Sequence, residues 1–312
     1  MRLVKLTTHA LGVLLLSVFL PGVVMAGVSD DDLPAASTWY FHADLKEMRN
    51  SSTGRGLYSW LENEVFADVL EESGIDLGKE VDQITAFSAA GTGAVMVVDG
   101  RFSQQTRDKA MLAASTAERF DTLKSGSGTY YHVKGDNRVD GDRINIEGID
   151  NEFYFTFDVR NKLVMAAKKE QIEALMQNKG RIVGNKGHSG ALFVLTAERS
   201  LIQAGLKTDE FDEDDGGFES NIMRNTRHVA LMVADVAGKI AIEAQLEATA
   251  AETAQSLASI VRGLIALQAF SQDMDPRVAQ FLQGTRVDVK DSSLKISVAL
   301  SPETIAAVLD EV

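Results

Sequence analysis

The chain has 312 residues, a net charge of −14 and no cysteine. That acidity argues against nucleic acid, whose phosphates need Lys and Arg to neutralise them, and against anionic lipid surfaces; a basic partner, or plain solubility, fits better. Without cysteine the chain can form no disulfide, no thiolate nucleophile, no Cys-ligated metal site and no lipid-modified cysteine.

The first 26 residues read as a cleavable signal peptide. Arg2 and Lys5 make a basic start with no acid, and Ala10 to Leu20 is almost wholly apolar. Pro21 and Gly22 end that run, and Val24 and Ala26 are the small residues of a signal-peptidase site. The run is too short and too interrupted for a membrane anchor, and nothing after residue 26 is long and apolar enough to span a bilayer. The expected destination is the periplasm, with secretion to the medium as the alternative.

After the leader, Thr38–Leu45 alternates as a strand, and Gly56–Leu70 places Leu57, Leu61, Val65 and Val69 at helical spacing. Ile84–Arg101 comes next as two alternating strands around Gly93, leading into a helix at Ser103–Ala117. Val229–Leu246 aligns with that hairpin without a gap, Gly238 falling on Gly93, and leads into a helix at Ala248–Phe270. Leu163–Leu175 likewise matches Ile296–Val308, each a strand entering a helix. In the second of these Ser301 is a ready N-cap and Pro302 its first helical residue. Ala191–Ala197 and Glu198–Gly205 read as a strand and a helix.

These matches predict an α+β protein of two tandem β-α-β-β-α-β-β-α repeats, mostly antiparallel sheets with helices on one face. The first unit is expected at 27–178, a Gly-rich joint at 179–189 and the second unit at 190–312. Ser125–Asn151, rich in Gly, Asp and Asn around short strands at Thr129–Val133 and Arg143–Gly148, and the acidic Thr208–Ser220 interrupt the pattern and read as surface insertions, where function is commonly added.

Motifs for chemistry are weak. Gly187–Ala191 nearly spells the nucleophile elbow around Ser189, but the next residues, Leu192–Leu195, read as a strand rather than a helix. Asp136, Asp140 and Glu147 occupy positions 1, 5 and 12 of a calcium-loop pattern, but Arg138 stands where a ligand oxygen belongs. A polar hairpin explains the same residues. In the acidic loop, Asp212, Asp214 and Asp215 are candidate cation ligands, although such a charge run is more commonly a solvated loop or a dock for a basic partner. His42 and Asp44 share a strand face without completing a metal or acid–base set. No phosphate loop or dinucleotide fingerprint is present. The aromatic residues at Trp39–Phe41, Trp60, Tyr130–Tyr131 and Phe153–Phe157 are expected to divide between core and surface, with an outward patch if they converge.

Ser256–Phe270 (SLASIVRGLIALQAF) and Gly190–Gly205 (GALFVLTAERSLIQAG) resemble exported proteobacterial proteins. That family has no established activity, so the resemblance implies export and carries no functional residue. The reading is therefore of a non-enzymatic periplasmic interaction or binding module with no catalytic residue and no cofactor. Its expected partner is another envelope protein or a basic molecule. A carrier of an apolar small molecule or lipid, and an enzyme with dispersed catalytic residues, are the alternatives.

Overall fold

The computed structural model describes residues 33–73, 76–89, 92–126, 128–135, 152–185, 190–199, 225–269 and 282–301. Its strands are β1 (Ser37–Asp44), β2 (Val81–Ala89), β3 (Gly93–Gly100), β4 (Arg119–Ser125), β5 (Gly128–Lys134), β6 (Glu152–Val159), β7 (Lys162–Ala166), β8 (Ala191–Glu198), β9 (Thr226–Val236), β10 (Lys239–Ala248), β11 (Arg286–Lys290) and β12 (Ser293–Leu300). The helices are α1 (Leu45–Asn50), α2 (Gly54–Leu61), α3 (Ala67–Ser73), α4 (Leu77–Glu80), α5 (Gln104–Ser115), α6 (Lys169–Gln177) and α7 (Ala251–Ala269), with a π-helical turn at Glu62–Phe66.

Twelve strands are described. The chain divides into two compact units, one taking residues 33–46 and 58–185 of those described, the other 47–57 and 190–301. In the first unit the strand order is β1-β2-β3-β7-β6-β5-β4, and in the second β8-β9-β10-β12-β11. Every pairing within each unit is antiparallel.

This corrects the α+β expectation of two tandem repeats with helices on one face. Each unit is mostly antiparallel sheet with few helices, and among the described residues only α5 and α7 exceed nine residues. Two physical causes account for the difference. Arg119–Lys134, which includes part of the expected surface insertion, forms the paired strands β4 and β5 and lengthens the sheet instead of interrupting a repeat. Helices also reach both faces of the first unit.

Register shows this two-sidedness. Tyr40, Phe87, Val95, Ala166, Tyr154 and His132 stand opposite one another across consecutive strands. On that face α6 buries Ile172 and Leu175 against Val95, Val97, Val164 and Tyr130. One residue along, and so on the opposite face, Phe41, Ala86, Met96, Met165, Phe155 and Tyr131 form a second row. Phe155 packs edge-on to Phe157, whose ring carries the Arg107 guanidinium of α5 at 5.2 Å. Ser103 caps α5, its hydroxyl accepting from Thr106 N–H at 3.1 Å.

In the second unit the β9–β10 turn pairs Val236 with Lys239, leaving Ala237 and Gly238 at φ of 53° and 76°. Both central residues are left-handed, as the twist of a two-residue hairpin requires. Alternation then puts Leu246, Val287, Val289, Leu294 and Ile296 on one face, where α7 buries Leu257 and Ala258 among them.

The short segment of residues 47–57 belongs with the second unit through Asp235 on β9. The Ser51 and Thr53 hydroxyls both donate to Asp235 Oδ2, and Gly238 N–H donates to Oδ1 at 3.3 Å. Burial pushes the Asp235 carboxyl up, but the Ser51 and Thr53 hydroxyls and the Gly238 amide outweigh it and hold it below the ordinary carboxylate range.

Candidate interaction face

The side of β10, β12 and β11 turned away from α7 is polar. Period-2 alternation in β11 sends Val287 and Val289 toward α7 and Arg286, Asp288 and Lys290 the other way. In register with them stand Ser297, Lys295 and Ser293 of β12, and then Glu243, Gln245 and Glu247 of β10. Asp288 faces Lys295 directly, a favourable cross-strand pair. Charges on β11, the outermost strand of this unit's order, also discourage edge-to-edge pairing with another sheet.

An open cleft of about 580 Å³ lies here, lined by Gln245, Glu247, Asp288, Lys290, Asp291 and Lys295 together with Ser292 and Ser293. Gln245 Nε2 donates to Ser293 Oγ at 3.2 Å. Behind the cleft Glu243 is only 3% exposed. Lys295 Nζ lies 2.5 Å from its Oε2 as an ion pair, yet that oxygen accepts no well-directed hydrogen bond among the described residues. Lys295 thus spans the buried carboxylate and the cleft wall. The arrangement offers both charge signs and hydroxyl and amide groups over a shallow surface, which suits recognition of a polar macromolecular surface.

A second polar constellation occupies the first unit. His132, 6% exposed, has its Nδ1 3.3 Å from Asp121 Oδ2 and its Nε2 2.8 Å from Glu152 Oε1. Its ring stacks on Tyr154 at 4.6 Å. The Arg119 guanidinium, and after it His132, hold the Asp121 carboxyl below its usual range. Both ring nitrogens lie against carboxylates, and the imidazole closes the polar end of an otherwise apolar row. Among the described residues, no three His, Asp or Glu side chains are grouped so as to hold a metal ion.

Of the expected site residues, Asp136, Asp140 and Glu147, the acidic Asp212, Asp214 and Asp215, and Ser189 lie outside the described residues. The strand expected after Ser189 is β8. His42 and Asp44 each meet β2: His42 Nδ1 is 2.9 Å from Thr85 Oγ1, and Gln83 donates to Asp44 at 2.5 Å. The aromatic residues of β4 to β6 do converge, Phe120 stacking on Tyr131 and Tyr131 lying tilted against Phe155. Phe155 and Phe157 are buried, however, and Phe120, Tyr131 and Phe153 half-buried, so the cluster is largely core. The Glu243–Lys295 pair and the Asp121–His132–Glu152 set were missed because cross-strand register joins residues far apart in sequence.

No helix among the described residues is long and apolar enough to cross a membrane, which says nothing of strands. No family profile and no curated protein matches the chain. Among solved structures it is similar to three crystal forms of TP0453. Form III gives a TM-score of 0.42 at 10% identity over 93% of this chain and 99% of that one. Form I gives 0.42 at 10% over 92% and 98%, and form IV 0.44 at 11% over 91% and 97%. Similarity at this level establishes neither a shared fold nor a shared role.

Proposed function

We propose that the protein is an exported, non-enzymatic interaction module that presents the polar face of β10, β12 and β11 to an envelope protein. The observation that carries this reading is the open cleft of about 580 Å³ lined almost entirely by charged and hydroxyl-bearing residues, with both signs present. Charges so arranged give orientation and partner choice through complementarity. The polar lining favours a polar partner over the apolar cargo of a carrier. Export rests on the leader at 1–26, and the mixed charge broadens the expected partner from a basic one to a polar protein surface.

A photo-cross-linking residue placed at Ser293, in the chain expressed in its own compartment, tests this. Discrete protein adducts at Ser293, absent when the cross-linker stands at Leu112 of α5, are expected. Equal, diffuse labelling at both positions would remove the basis for the reading.

A further inference from the structure

His132 joins three strands. It stands opposite Asp121 of β4 and Tyr154 of β6 in the register of the first unit. Its Nδ1 faces Asp121 Oδ2 at 3.3 Å, and its Nε2 faces Glu152 Oε1 at 2.8 Å. Near neutral pH carboxylates are ionised, and an ionised carboxylate only accepts hydrogen bonds. A neutral imidazole has one N–H, so it satisfies one carboxylate and turns a lone pair toward the other. A ring with a proton on each nitrogen donates to both. The residue is 6% exposed, and a charge so buried is tolerated where it is paired and hydrogen-bonded. Here two carboxylates pair it.

The two contacts are unequal. The one to Glu152 is shorter, so a neutral ring keeps its single proton on Nε2, and Asp121 is the partner given up. Asp121 has another donor on its own strand, Arg119 Nε at 2.5 Å. It can therefore part from β5 and still be hydrogen-bonded. Among the described strands β4 is outermost in the first unit's order and pairs with β5 alone.

We infer that His132 is a proton-operated latch on the outer strand β4. With a proton on both nitrogens the ring ties β4 and β6 to β5. Loss of the Nδ1 proton releases Asp121 and loosens β4.

The sign follows from which state makes both bonds. The latch holds at the acid end of the range in which histidine changes charge, about pH 5 to 8, and lets go as pH rises. Asp121 stays an acceptor through that range, because Arg119 and then His132 hold its carboxyl below the ordinary carboxylate value. Tyr130, on the same face of β5, is pushed by burial up to about 12, and burial raises Tyr154 as well. Both stay neutral. The other charged groups around the ring among the described residues are Arg119 of β4, Lys134 of β5, Glu152 of β6, and Glu170 and Glu173 of α6.

Ring-nitrogen NMR of the full chain from about pH 5 to 9 tests this. Both nitrogens of His132 should carry protons at the acid end, and Nδ1 should lose its proton as pH rises while Nε2 keeps its own. Amide hydrogen exchange, corrected for the intrinsic rate, should show protection of β4 falling about tenfold over the same change while β1 holds constant. His132→Gln should abolish that dependence. Asp121→Asn keeps the ring and should give, at the acid end, the weaker β4 protection that wild type shows at the alkaline end. A ring that keeps one protonation state throughout, or that loses the Nε2 proton first, would overturn the proposal. So would β4 protection that fails to follow the ring in wild type, that still changes with pH in His132→Gln, or that is undiminished in Asp121→Asn.

Discussion

The sheet of the first unit is apolar on both faces, whereas β10, β12 and β11 of the second unit are apolar on one face only. In the first unit the row from Tyr40 to His132 lies on the α6 side, and the row from Phe41 to Tyr131 lies on the other. In the second unit α7 covers Leu246, Leu294 and Ile296, and the reverse side shows Gln245, Lys295 and Asp288. A strand buried on both sides has little freedom to change its side chains without cost. On the reverse side of β10 and β12, Gln245, Glu247, Ser293 and Lys295 are partly exposed, while Glu243 is buried. On the proposed function, the first unit is the scaffold and the second meets the partner.

Substitutions can break that division, and the largest effect belongs to the scaffold. Ile172→Ala removes a side chain with no exposure from beneath the first unit's sheet; it should destabilise by about 4 kcal/mol, read by chemical denaturation. A loss under about 1 kcal/mol would mean that α6 contributes little to the first unit's core.

Lys295→Met comes next. It leaves the Glu243 carboxylate buried without its ion pair, at a cost of about 3 kcal/mol. The double variant with Glu243→Gln should recover most of that loss. Failure to recover would show that Lys295 acts through packing or through its cleft contacts instead of through Glu243.

Asp235→Asn should cost about 2 kcal/mol near neutral pH, because the Ser51 and Thr53 hydroxyls then meet a neutral acceptor. The folded carboxyl is held below its unfolded value, so its contribution is present above the unfolded pKa of about 3.9 and is lost as pH falls through the folded one. The gap between wild type and variant should therefore be full at pH 7 and close at the acid end of a pH-dependent denaturation series. A gap that persists unchanged at low pH would show that the carboxyl's charge plays no part.

The smallest effect sharpens the comparison most. Asp288→Lys and Lys290→Glu, on the polar face, should each change stability by no more than about 0.5 kcal/mol in thermal melts. Larger losses would mean that these charges hold the fold together and are not there for a partner.

The sequence made the hairpins legible and the sheet illegible. Gly93 and Gly238 marked their turns correctly, and both have positive φ. The helices at Gln104–Ser115 and Ala251–Ala269 fell within their expected spans. The strand expected at Thr129–Val133 is β5, but β4 went unread, and the Gly- and Asp-rich setting made the pair look like an insertion and not part of the sheet. The polar clusters were hidden by distance along the chain: His132 lies 11 residues from Asp121, and Ser51 lies 184 from Asp235. Alternation shows which residues share a face of one strand, but the register between strands that brings such groups together is set by the whole sheet.

The most direct test of the polar face as the site of partner recognition is the yield of the Ser293 cross-link in cells carrying Asp288→Lys together with Lys290→Glu. The account predicts a folded chain with an unchanged melting temperature and loss of the adduct. An adduct of undiminished yield from that stably folded variant would contradict it.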